Sequence, residues 1–97
     1  MNLRKLAKGQ LCQIRLPGCS HNQDETVLCH LRLPGCGMKR KEHDLHGAWG
    51  CYNCHALVDG QIKLPNWSKL EILQAHLLGV IRTQQELIKQ KGEPTWP

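Results

Sequence analysis

At 97 residues the chain has room for one small domain, spanning 1–97, with a modest hydrophobic core. Phe is absent and aromatic content is limited to three Trp and one Tyr, so a staple is expected, and six cysteines offer disulfides or a metal. The net charge of +5 favours a polyanionic partner. The N-terminus, Met-Asn-Leu-Arg-Lys-Leu-Ala-Lys-Gly, has basic residues but no apolar h-region or cleavage site, and no stretch is apolar for long enough to span a bilayer. The expectation is therefore a cytoplasmic protein with reduced cysteines and no membrane partner.

In chain order, residues 2–8 read as a short basic helix with Asn2 as N-cap and Gly9 just past its end. Residues 10–16 and 26–33 read as two strands, each rich in Leu, Ile and Val and bounded by Pro-Gly. Residues 17–25 between them are a polar turn. Residues 34–50 read as a Gly-rich loop carrying Lys39-Arg40-Lys41, and residues 51–59 as a short helix stopped by Gly60. Ser68 and Glu71 have the spacing of a capping box. After them Leu70, Leu73, Leu77, Val80, Ile81, Leu87 and Ile88 recur at helical spacing, which predicts one amphipathic helix over 69–91 that closes the core. Gly79 would cost this helix about 1 kcal/mol relative to Ala, so it marks a close approach. The helix also leaves open a homodimer.

One motif repeats. Residues 12–19 read Cys-Gln-Ile-Arg-Leu-Pro-Gly-Cys and residues 29–36 read Cys-His-Leu-Arg-Leu-Pro-Gly-Cys, each presenting a cysteine after a Pro-Gly turn. The strongest motif is Cys51-Tyr-Asn-Cys54-His55, whose two thiolates sit on one turn and can share a tetrahedral zinc. Cys12 and Cys19 are the first choice for the other pair, Cys29 and Cys36 the second. A four-thiolate zinc would bring the net charge from +5 to about +3. Cys-x-x-Cys-His also occurs in haem attachment, but that chemistry needs export and leaves four cysteines idle, so no haem is expected. A thioredoxin-like role lacks its βαβ context. His55 and Asp59 are four apart on one helix face, where an imidazole and a carboxylate can hold a divalent cation with positions left open. His30 lies on the second predicted strand, and the loop between contributes His43, Asp44 and His46. His21 and His76 read as structural.

This order (strand His, basic loop with Asp, then Cys-x-x-Cys-His-x3-Asp) resembles the ββα-metal, or HNH, nuclease family in its zinc-stapled form. More closely, over about residues 3–59, it is similar to the small prophage-encoded YbcO-like proteins regarded as HNH endonucleases. The resemblance implies an α+β fold with a nuclease-like core over about 10–60 and a long C-terminal helix. It implies a structural zinc on Cys12, Cys19, Cys51 and Cys54. His30 would be the general base, with Mg²⁺ or Mn²⁺ on His55, Asp59 and Asp44, and DNA as substrate. Arg15, Arg32, Lys39, Arg40 and Lys41 would then contact phosphates, which gives affinity without sequence reading. The chain departs from the family in three places: the first pair is Cys-x6-Cys rather than Cys-x-x-Cys, the middle Asn is replaced by Asp44 as nearest candidate, and Cys29 precedes the base where His or Asp is usual. Two other functions fit a zinc-stapled basic domain, namely a non-catalytic DNA-binding module and a protein-interaction module. Neither requires the His30, His55 and Asp59 set.

Overall fold

The computed structural model describes residues 2–20, 22–31 and 44–92. Five elements follow in order: helix α1 (Leu3–Ala7), strand β1 (Val27–His30), strand β2 (Gly47–Gly50), helix α2 (Tyr52–Val58) and helix α3 (Lys69–Lys91), with 3-10 turns at Gln23–Glu25 and Asp44–His46. The architecture is α+β.

Each helix starts on a side-chain cap, and the sequence announces those of α1 and α3. The Asn2 side chain accepts from the Lys5 amide, and Gly9 leaves the helix at φ 86°. The thiol of Cys51 caps α2 by accepting from the Cys54 amide. Ser68 and Glu71 form a complete capping box at α3, whose 23 residues match the predicted 69–91.

The sheet differs from expectation. Residues 10–16 are not a strand: Arg15 sits at φ 58°, a left-handed conformation that breaks extension, and the segment docks on β2 through Gln13 N–H to Trp49 O at 2.7 Å. The second strand is instead Gly47–Gly50, within the predicted loop. It pairs antiparallel with β1 in the register Leu28–Trp49, Cys29–Ala48, His30–Gly47. Its glycines are steric requirements. A Cβ on Gly50 would meet Ile14 Cδ1 at 2.7 Å and Cys29 Sγ at 2.8 Å, and one on Gly47 would meet Leu28.

Helix α3 lies across β2 and is fastened by polar side chains as well as apolar ones. Trp49 N–H donates to Thr83 Oγ1 at 2.9 Å, His76 Nε2–H donates to Cys29 O at 2.8 Å, and Arg82 donates to Gln13 O at 3.0 Å. Two of these groups, Trp49 N–H and Cys29 O, belong to the strands and find their partners on the helix. The face that α3 buries is His76, Gly79, Val80, Thr83 and Leu87. This shifts the predicted stripe. Val80 and Leu87 are buried, whereas Leu70, Leu73, Leu77, Ile81 and Ile88 stay exposed, because the helix approaches closest at Gly79 and turns that face inward. One core cluster joins Ile14, Leu16, Leu31, Leu57 and Val80 to the cysteines, and a second packs Trp49 against Ala7 and Leu87. Among the described residues no helix is long and apolar enough to cross a membrane.

Candidate metal centre and nuclease-like site

The Pro17-Gly18 turn delivers Cys19. Cys19 N–H donates to Leu16 O at 3.0 Å and Gly18 has φ 86°, the positive φ that the third position of a type II turn demands. Asn53 in the first turn of α2 donates to Gly18 O at 2.8 Å, which locks this turn against the Cys-x-x-Cys helix. The ligand atoms of Cys12, Cys19, Cys51 and Cys54 consequently all lie within 4.8 Å of one another, with Cys19 and Cys51 sulfurs 3.5 Å apart. Tetrahedral zinc with bonds of about 2.3 Å needs sulfur–sulfur edges of roughly 3.8 Å, so the four thiols fit it with small adjustments. The cluster is buried except for Cys19.

Its electrostatics suit a cation. The Cys54 thiol, backed by the Arg15 and Cys51 amides, holds Cys12 down to about 4 despite burial, and the same shared proton pushes Cys54 up. Burial opposes ionisation of Cys51, but the Cys54 and Ser20 amides aimed at its sulfur outweigh it and the thiol titrates low. Two thiols that ionise readily beside a third that shares its proton suit a divalent metal, whose binding displaces the protons that remain. Cys29 lies outside the four. Burial, reinforced by the charges of Asp59, Cys12 and Cys51, pushes it up to about 12, so it stays a protonated core thiol. Cys36 lies outside the described residues.

Two imidazole–carboxylate pairs stand beside this centre. His30, the last residue of β1, has Nε2 2.7 Å from Asp44 Oδ1. Asp44 begins the 3-10 turn leading into β2, and the register His30–Gly47 brings that turn back over the strand end. His30, and next the Arg4 guanidinium 3.4 Å away, hold the Asp44 carboxyl below its ordinary range. His55 and Asp59, one turn apart on α2, meet at 3.1 Å. Asp44 is thus turned toward His30 and not toward His55 and Asp59. Among the described residues, the four cysteines alone bring three or more potential ligand atoms into mutual reach.

His30 and Asp59 open on one groove of about 580 Å³, which His76, Trp67, Ile62 and Leu73 also line. His76 was expected to be structural, and it is buried with its Nε2 committed to Cys29 O. Burial, its main influence, lowers its pKa. Trp67 belongs to none of the sequence motifs described above. The Leu64-Pro65-Asn66-Trp67 turn just before the capping box was its one local mark. Of the residues expected at phosphates, Arg15 is exposed and donates to Gln13 Oε1 at 3.1 Å. Arg32, Lys39, Arg40 and Lys41 lie outside the described residues.

Comparison with known proteins agrees with the sequence order. Residues 1–93 match the family model described as "Putative nuclease YbcO". Proteins of that name from Escherichia coli (strain K12) and from Enterobacteria phage 82 are each 36% identical over 91 residues, covering 92% of this chain and 93% of theirs. A solved structure titled as a putative bacteriophage protein from Escherichia coli K-12 superposes with a TM-score of 0.73 at 32% identity, over 90% of this chain and 96% of that one. A match across nearly the whole length, in a chain whose four cysteines converge and whose β1 ends in a carboxylate-paired histidine, places the protein in a family: the chain belongs to the YbcO family.

Proposed function

We propose that this chain is a single-domain, metal-dependent endonuclease of the HNH type that hydrolyses DNA phosphodiester bonds, with Cys12, Cys19, Cys51 and Cys54 holding a structural zinc. The observation that carries the reading is His30 at the end of β1, paired at 2.7 Å with Asp44 and opening on the same groove as Asp59. A purely structural zinc module needs no such imidazole.

On this reading the pairing gives the two ring nitrogens different roles. A carboxylate can only accept, so Asp44 fixes the His30 proton on Nε2 and leaves the Nδ1 lone pair as the base. Nδ1 takes a proton from water as its oxygen forms a bond to phosphorus. The bond to the leaving oxygen breaks in line, and that oxygen is protonated from solvent. His55 and Asp59 would hold a Mg²⁺-like ion, which binds through few protein ligands and keeps open positions for water and phosphate. When bound, it would stabilise negative charge on the phosphate and leaving oxygen. The zinc would do no chemistry, because four thiolates leave no open position. Arg15 and the basic residues 39–41 would supply phosphate affinity.

The test is cleavage of plasmid, linear duplex and single-stranded DNA with Mg²⁺ or Mn²⁺, comparing wild type with His30→Ala and measuring zinc in both. Metal-dependent cleavage lost in the variant, with zinc retained, is the expected result. Tight, salt-sensitive DNA binding without cleavage by either protein would overturn it in favour of a non-catalytic DNA-binding module.

A further inference from the structure

The groove beside His30 is more apolar than phosphate chemistry requires. The phosphates and sugars of a continuous duplex are polar, and its bases are stacked out of reach of a protein wall beside one strand. Yet the groove that His30 and Asp59 open on is also lined by Trp67, Ile62 and Leu73, with Lys63 and Lys69, and among the described residues Asp59 is its single carboxylate. Trp67 is held in place. Pro65 and Asn66 occupy the centre of its turn, Asn66 has φ 70°, and Trp67 N–H donates to Leu64 O at 3.3 Å, the pattern of a type II turn. Ser68 immediately afterward caps α3, so the backbone that carries the indole is fixed between a turn and a helix start, and the residue keeps over a third of its surface free. At about 580 Å³ the groove has room for an unstacked nucleotide. An aromatic face, aliphatic walls and two lysines within one groove match a base and its flanking phosphates.

We propose that this groove binds an unpaired nucleotide next to the scissile phosphate, with Trp67 stacking on the base and Lys63 and Lys69 on neighbouring phosphates, so that the substrate class is single-stranded or branched DNA. The proposal rests on the nuclease reading for the position of the scissile phosphate. The binding it claims is measurable without cleavage.

The full-length protein, zinc-loaded and in Ca²⁺ to hold cleavage back, is titrated with a labelled thymidine oligonucleotide and with a duplex of the same length. Wild type should prefer the single strand. Trp67→Ala should weaken the single-strand complex by about 5- to 100-fold while changing the duplex complex little. Lys63→Ala with Lys69→Ala should flatten the salt dependence. In Trp96→Phe protein, Trp67 fluorescence should be quenched by the oligonucleotide, since Trp49 is buried at 1% exposure; this arm requires no change at Trp67. Equal single-strand affinity in wild type and Trp67→Ala, equal losses on both DNA forms, or no quenching would each overturn the groove assignment. Selective loss in Trp67→Ala, with no cleavage of any substrate in Mg²⁺ or Mn²⁺, would overturn the nuclease reading and leave the groove standing.

Discussion

Asp44 Oδ1 lies 2.7 Å from His30 Nε2, across a strand end where the two residues are 14 apart in sequence. On the proposed reading this contact sets the tautomer of the base. His30→Ala should lower cleavage by about 10²–10⁴-fold. Asp44→Asn, which can offer Nε2 its amide oxygen but not a charge, should cost less than His30→Ala and change the pH–rate profile. Single-turnover rates against pH for both variants check this. An Asp44→Asn profile identical to wild type would remove Asp44 from the mechanism. Asp44 should also stabilise the fold above the ordinary carboxylate range, a contribution lost as pH falls through its lowered pKa.

Metal analysis should give one zinc per chain. Stripping it with a strong chelator should unfold the region around α2, because structural zinc sites contribute about 10 kcal/mol or more of folding free energy. Cys54→Ser should abolish stoichiometric zinc. Cys29→Ala should keep the full zinc content and lose only about 0.5–3 kcal/mol of stability, as its thiol is packed against the centre and is not one of the four. Loss of zinc in Cys29→Ala would require a different ligand set.

Gly79→Ala tests the close approach of α3. Helix propensity alone predicts a gain of about 1 kcal/mol. A Cβ at Gly79 would stand 3.0 Å from Ile14 Cγ1, 3.2 Å from Ala48 Cβ and 3.2 Å from the Gln13 carbonyl, which is backbone and cannot rotate away. Overpacking of this kind costs about 1–3 kcal/mol, so the variant should be net destabilised, with Gly79→Val worse. Urea midpoints decide the sign.

His76 titrates below the ordinary histidine range, chiefly through burial, with the Cys29 carbonyl and Asp59 opposing and His55 and His30 adding to the depression. The unfolded chain therefore binds its proton first, and stability should fall as pH drops from 7.5 toward 6. His76→Gln, which keeps a side-chain donor for Cys29 O, should flatten that slope. Denaturation midpoints across this interval measure it.

The helices were legible in the sequence because each carries its own boundary chemistry: Asn2 and Gly9 for α1, the Ser68–Glu71 box and Gly92 for α3. The thiolate set was legible for a similar reason, since Pro17-Gly18 and Cys-x-x-Cys are local devices. The sheet was not. Gly-Ala-Trp-Gly has no alternation and few strand-forming residues, and its glycines are there because Ile14, Cys29 and Leu28 occupy the space that side chains would need. Residues 10–16 had the composition of a strand, but the left-handed turn at Arg15 that sends Cys12 and Cys19 to one point is not written in composition. The buried face of α3 is not the one that Leu spacing predicts, because hydrophobic periodicity ranks Leu above His, Gly and Thr, whereas hydrogen bonds to Cys29 O and Trp49 N–H decide which face turns inward.

The convergence of Cys19 and Cys51 has a consequence for how the family can diversify. The two sulfurs, 32 residues apart in sequence, pin the chain on either side of β1 and β2. The strand pairing pins it again between His30 and Gly47. The chain that joins those inner anchors has both its ends held, and doubling the length of a segment closed in this way costs only about 0.6 kcal/mol. Members of the family are therefore expected to vary in length between residues 31 and 44 while keeping the spacing within 12–19 and 51–59. That interval holds Lys39, Arg40 and Lys41, so its length and charge can change while the strand pairing and the four-cysteine cluster keep their anchors.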